Sequence, residues 1–129
     1  HAARFLKVFS PRPRTKVLSP PAMPSFTLHD LEQRVAERAK ANADSSYTRK
    51  LLDRGPAYCA KKLGEEAIET VMAATSERRD RVIAESADLL YHLLVLLKSR
   101  GIKLAEVEAA LQSRTSQSGL QEKAARKDQ

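Results

Sequence analysis

The stretch AYCAKKLGEEAIETVMAATSERRDRVIAESADLLYHLLVLLKSR, residues 57–100, decides the fold. Its first half, from Ala57 to about Thr75, has helical spacing: at about 100° per residue, Ala60, Leu63, Ala67, Val71 and Ala74 share one face. Glu65 and Glu69 lie opposite, Glu66 sits about 60° round from Glu69, and Lys61 and Lys62 flank them. A loop at 76–79 leads to a second long helix, from about Asp80 to Arg100, which Gly101 ends. Val82, Ile83, Ala84, Ala87, Leu89, Leu90 and Leu93 to Leu97 wrap nearly the whole circumference of this second helix, which predicts burial on most sides. One narrow strip interrupts them: Glu85, Asp88 and His92, at i, i+3 and i+7.

Outward from this hairpin the pattern stays helical. Thr27 caps a helix whose apolar positions Leu28, Leu31, Val35 and Ala39 recur at steps of three and four. Asn42 to Ser45 is polar and turn-like, and a short helix fits Tyr47 to Arg54, stopped by Gly55 and Pro56. Leu104 to Leu111 makes a last helix. No segment alternates with period two over a strand's length, so the expected fold is all-α, a bundle of about four to five helices.

A chain of 129 residues has room for one hydrophobic core. No apolar run approaches the ~18 residues a bilayer span needs, so no membrane partner is expected. The single Cys59 excludes an internal disulfide framework and a Cys-based zinc cluster, and it fits a reducing cytoplasm. The net charge of +7 suggests nucleic acid until its placement is read. Residues 1–22 hold Arg4, Lys7, Arg12, Arg14 and Lys16 and no acid; residues 114–129 hold Arg114, Lys123, Arg126 and Lys127 against Glu122 and Asp128. Of the chain's 23 basic and 16 acidic residues, that leaves 14 of each in the middle, a net charge of zero. A nucleic-acid-binding domain keeps its basic footprint on the fold itself, so none is expected here.

Residues 1–22, with Pro11, Pro13, Pro20 and Pro21 and no apolar periodicity, read as a disordered leader. A cloning remnant or upstream translated segment, with Met23 as the natural start, fits better than an Arg-rich transit peptide. Residues 23–113 are the expected domain and residues 114–129 a flexible basic tail.

Carboxylates on an apolar helix are costly unless paired or metal-bound, and two side by side raise each other's pKa. One offset is a Lys or Arg from a neighbouring helix, a structural ion pair. The other follows if the two long helices fold back on each other: Glu66 and Glu69 then face Glu85 and Asp88, and four or five oxygen donors converge. Hard oxygen ligands without Cys suit Mg²⁺, with Mn²⁺ as the alternative. Mg²⁺ usually keeps waters and substrate phosphates in its shell, which points to a phosphate-bearing substrate.

The string Glu65-Glu66-x-x-Glu69, then Glu85-x-x-Asp88, resembles the acidic signature of the all-α, MazG-like nucleotide pyrophosphohydrolases. Three blocks in order sharpen the resemblance to the phosphoribosyl-ATP pyrophosphohydrolases of histidine biosynthesis. They are Ser46-Tyr47-Thr48-Arg49-Lys50-Leu51-Leu52, Lys61 to Glu69, and Ala87 to Leu97. The likeness covers roughly Phe26 to Arg114; Leu63 stands where the family often has Val, an apolar exchange. It implies hydrolysis of the α–β phosphoanhydride of phosphoribosyl-ATP, with Glu66, Glu69, Glu85 and Asp88 holding Mg²⁺ and Glu65 as a further ligand or base. Lys50, Lys61 and Lys62 are candidates to neutralise the triphosphate. Tyr47, Ser46 and Thr48 match a family block, although capping by itself explains Ser46 or Thr48. His92 reads first as a satisfied core histidine. The family is commonly dimeric or larger, and so apolar a helix in a small domain also asks for a partner, so a homodimer or dimer-based oligomer is expected.

Other readings compete. A house-cleaning nucleoside triphosphate pyrophosphatase has the same acids and a different base pocket. A non-catalytic helical dimerisation module has the acids in ion pairs. A nucleic-acid binder would act through the basic tails.

Overall fold

The structure, a computed structural model, describes residues 25–76, 78–116 and 119–127. The leader expected over residues 1–22 and the start at Met23 lie outside the described residues. Among the described residues there are six helices and no strand. They are α1 Leu28–Ala39, α2 Tyr47–Asp53, α3 Pro56–Thr75, α4 Arg79–Ser99, α5 Leu104–Thr115 and α6 Gly119–Lys127. The fold is all-α, as the spacing predicts, and no helix is long and apolar enough to cross a membrane among the described residues.

Local chemistry sets the helix starts. Thr27 opens α1 reciprocally: its Oγ1 accepts the Asp30 N–H at 3.1 Å, and its own N–H donates to Asp30 Oδ2 at 2.9 Å. The Ser46 hydroxyl accepts the Arg49 N–H at 3.1 Å and donates to the Arg38 carbonyl at 2.8 Å, so it both starts α2 and ties it to the end of α1. Gly55, at φ 90° and ψ 170°, turns the chain into α3, whose first residue is Pro56. That backbone region is essentially reserved for glycine, and proline's missing N–H is no loss at a helix start. At α5 the Glu106 carboxylate accepts the Lys103 N–H at 2.9 Å, and a second cap comes from across the fold. Lys103 makes no side-chain cap bond there, and the Leu104 N–H instead donates to Glu32 Oε2 of α1 at 2.7 Å.

Leu31 and Val35 of α1, Leu51 of α2, Cys59 of α3, Tyr91, Leu94 and Val95 of α4 and Leu104 of α5 form the core. The longest contact is the α3–α4 hairpin. Its inward face differs from the one periodicity predicts. The buried residues of α3 are Cys59, Lys62, Glu66 and Ala73, while Ala60, Val71 and Ala74 are exposed and Leu63 and Ala67 half-buried. On α4 the buried strip is Glu85, Asp88, Tyr91, His92, Leu94 and Val95, so the helix is not covered on most sides within one chain. Ile68, Val71 and Met72 of α3 and Ile83 and Leu90 of α4 remain 39–63% exposed.

The last expected helix runs on to Thr115, and a further helix, α6, lies within residues 114–129. Its Gln, Glu, Lys, Ala and Arg residues are strong helix formers, which accounts for a helix here. The residues of α6 whose side chains are described are exposed.

Candidate metal centre

Glu66 on α3 meets Glu85 and Asp88 on α4, because the hairpin turns one strip of each helix inward. One carboxylate oxygen from each lies within 4.8 Å of the other two. Their exposures are 1%, 6% and 1%. Three buried anions this close cannot all stay ionised at ordinary cost. Burial, with Glu66 and Glu85 beside it, pushes the Asp88 carboxyl up to about 7. Burial and then the charge of Glu85 also raise Glu66. Neither oxygen of Asp88, nor Oε2 of Glu85, accepts a hydrogen bond from the described residues. Buried carboxylate oxygens without donors, converging with no sulfur among them, form a donor set that fits a hard divalent cation such as Mg²⁺ or Mn²⁺.

The structure thus brings together three of the four expected ligands. Glu69, one turn beyond Glu66, is half-buried and close enough for its charge to raise the pKa of Glu66, but it falls outside the 4.8 Å group. Glu65 points to the rim, where its Oε1 accepts from Lys62 Nζ at 3.0 Å. That hydrogen bond holds the Glu65 carboxyl below its ordinary range. Lys62 itself is buried, at 6% exposure, one turn before Glu66 on the inward face of α3. Lys50 and Lys61 are exposed.

Behind the carboxylates lies an aromatic and hydroxyl layer. His92 Nε2 stands 4.0 Å from Glu66 Oε1, so this histidine borders the acids as well as the core. Its ring meets Tyr91 edge-on at 4.9 Å between centroids and Tyr47 at 6.2 Å. The Tyr91 and Thr48 hydroxyls share a 2.7 Å hydrogen bond, both fully buried. Burial raises the Tyr91 phenol, keeping it neutral. Ser46 and Thr48 therefore have their hydroxyls engaged in the scaffold: Ser46 caps α2 and Thr48 anchors Tyr91. Of the substrate candidates in that block, Tyr47 alone borders the centre, through His92.

Two features escaped the sequence reading. One is the burial of Lys62, hidden because Lys61 and Lys62 look alike in sequence. The other is Thr70, whose hydroxyl lies 2.8 Å from the Glu66 carbonyl and 3.2 Å from the Glu85 carbonyl. Its signal was a hydroxyl four residues after Glu66, on the same side of α3.

Residues 28–115 match the family model described as phosphoribosyl-ATP pyrophosphohydrolase. The chain is 65% identical over 106 residues to phosphoribosyl-ATP pyrophosphatase 1 of Bradyrhizobium diazoefficiens, covering 82% of this chain and 100% of that protein. It is 63% identical over 105 residues to the protein of the same name from Rhodopseudomonas palustris, covering 81% and 98%. To the phosphoribosyl-ATP pyrophosphatase of Nitrobacter winogradskyi it is 59% identical over 104 residues, covering 81% and 90%.

Proposed function

The chain belongs to the phosphoribosyl-ATP pyrophosphohydrolase family, and from that membership we propose that it cleaves the α–β phosphoanhydride of phosphoribosyl-ATP. The products are phosphoribosyl-AMP and pyrophosphate, an early step of histidine biosynthesis. The observation that carries the reading is the convergence of Glu66, Glu85 and Asp88, three buried carboxylates with oxygens inside 4.8 Å.

Glu66, Glu85 and Asp88 hold Mg²⁺, and Glu69 extends the acidic rim toward the triphosphate. When bound, the cation supplies positive charge against the phosphate oxygens and the leaving pyrophosphate. Lys62, held by burial and by Glu65, adds a positive charge of defined position, while Lys50 and Lys61 supply exposed ones at the surface. Glu65, partly open to solvent beside Lys62, accepts a proton from attacking water. Tyr47 flanks the centre, and Ser46 and Thr48 act from behind it by holding α2 and Tyr91 in place. The protein's work is to hold an extended, highly charged substrate rigidly, in line with one water.

A second copy of the chain covers the exposed apolar face of the hairpin, Ile68, Val71, Met72, Ile83 and Leu90. Soluble monomers seldom leave large apolar patches in water. Five large side chains on two adjacent helices match an isologous dimer, in which the same patch meets itself.

Pyrophosphate release with Mg²⁺ tests the reaction. Phosphoribosyl-ATP should be cleaved at a kcat/KM far above those for dUTP, dCTP and ATP. Equal turnover of all four would assign the same centre to a house-cleaning nucleotide pyrophosphatase. No release from any would leave the acids as a structural feature of a binding module.

A further inference from the structure

We infer that the Thr70 hydroxyl is a positioning group for the metal centre, fixing α3 against α4 at the height where Glu66 faces Glu85. Its Oγ1 lies 2.8 Å from the Glu66 carbonyl oxygen and 3.2 Å from the Glu85 carbonyl oxygen. A hydroxyl has one proton, and both carbonyl oxygens lie within its reach. The first contact is common, since a helical threonine often bonds the carbonyl one turn back. The second is not local: its acceptor is on the facing helix. Both acceptors belong to residues whose side chains are in the centre, so the hydroxyl ties the two ligand-bearing segments directly to each other.

The consequence is geometric. One residue of a helix spans about 1.5 Å along its axis and turns by about 100°. Mg²⁺ asks for oxygens at roughly 2.0–2.1 Å in near-octahedral array. A slide of α4 along α3 by a fraction of one residue therefore moves Glu85 and Asp88 out of ligand range of Glu66. Thr70 does not touch the cation or the substrate. It acts through the two backbones, and this inference rests on reading the three carboxylates as a metal centre.

Two variants and a direct binding measurement test it. Thr70→Val keeps the branched shape and removes the proton, while Thr70→Ser keeps the hydroxyl and removes the methyl group. Mn²⁺ binding is titrated by electron paramagnetic resonance on the substrate-free full chain, well below the melting temperature of each protein. Thr70→Val should bind Mn²⁺ about tenfold more weakly, the low end of the range for groups that orient metal ligands, and Thr70→Ser should bind like the parent. A Thr70→Val protein that melts lower yet binds Mn²⁺ as the parent does would show a merely structural hydroxyl and overturn the inference. So would an equal loss in Thr70→Ser. If Thr70→Val does not fold, Thr70→Ala measured against Thr70→Ser gives the same comparison. A parent that binds no Mn²⁺ overturns the metal centre and this inference together; a parent that binds, with Thr70→Val unchanged, overturns this inference alone.

Discussion

The carboxylates of Glu66 and Asp88 face each other across the α3–α4 hairpin within 4.8 Å, each only 1% exposed. They arrive from different helices, so their repulsion is a cost that folding itself creates.

That cost sets a pH dependence. Asp88 ionises near 3.8 in an unfolded chain and near 7 in the fold. Between those values the folded state holds the extra proton, so metal-free stability falls as pH rises from about 4 to 7 and levels off above. About three pK units at 1.36 kcal/mol each set a ceiling of about 4 kcal/mol on the effect. Asp88→Asn removes this titration. Without metal at pH 8 the variant should melt at or above the parent's temperature, and the difference should shrink toward pH 4. Its Mg²⁺-dependent turnover should fall by orders of magnitude. Mg²⁺ with a non-hydrolysable triphosphate analogue should stabilise the parent strongly and the variant little. Thermal melts with and without EDTA check it; a metal-free Asp88→Asn that is less stable by roughly 3–5 kcal/mol would reveal a fixed cationic partner and a structural ion pair.

Lys62 should matter more than its neighbours. Its ammonium is held by burial and by Glu65, whereas Lys50 and Lys61 are exposed. Lys62→Gln should lower kcat/KM by about tenfold or more, since a preorganised charge acts without reorganisation. Lys50→Gln and Lys61→Gln should have smaller effects that fade with added salt. Steady-state kinetics of the three variants at two ionic strengths decide the order, and three equal effects would argue against a special role for Lys62.

The exposed face of the hairpin carries the prediction for assembly. Val71, at 63% exposure, is outside the chain's own core, while Leu94, at 4%, is inside it. Val71→Asp should therefore give a folded monomer or a weakened dimer, and Leu94→Asp should unfold the chain, because a buried unpaired charge costs several kcal/mol. Light scattering after size-exclusion chromatography reads the first and circular dichroism the second. A parent that runs as a monomer at high concentration would remove the dimer.

Gly55 offers a test of the fold alone. A methyl group there meets nothing within 4 Å, so sterics with neighbours predict a harmless change. The backbone at φ 90° and ψ 170° predicts otherwise. Gly55→Ala should destabilise the chain by about 1–3 kcal/mol, measurable by urea unfolding, with turnover per folded molecule unchanged.

Much of this protein was legible along the chain because its decisive signals are local. Thr27 and Ser46 mark helix boundaries through bonds to their own next turn and Gly55-Pro56 through backbone conformation, and the structure places those boundaries within a residue or two. The spacing of Glu66, Glu85 and Asp88 was enough to expect convergence, since i, i+3 pairs on two antiparallel helices can meet in few ways. Glu69 was harder to place. Three and four residues from a ligand are both near the same face, and only the packed hairpin separates the buried Glu66 from the half-buried Glu69.

The sequence by itself determined α1 to α5, the acidic strips and, through its three motif blocks, the family. The tertiary structure decided which face of α3 turns inward. Periodicity identifies Ala60, Leu63, Ala67, Val71 and Ala74 as an apolar face, but hydrophobicity has no direction and does not say whether that face meets the chain's own core or another surface. The fold instead buries Cys59, Lys62, Glu66 and Ala73 against α4. It also decided that Lys62 and not Lys61 is enclosed, that Glu32 caps a helix 72 residues away, and that Thr70 spans two ligand-bearing backbones. Each of these depends on where a second helix lies, which no repeat along one helix can specify.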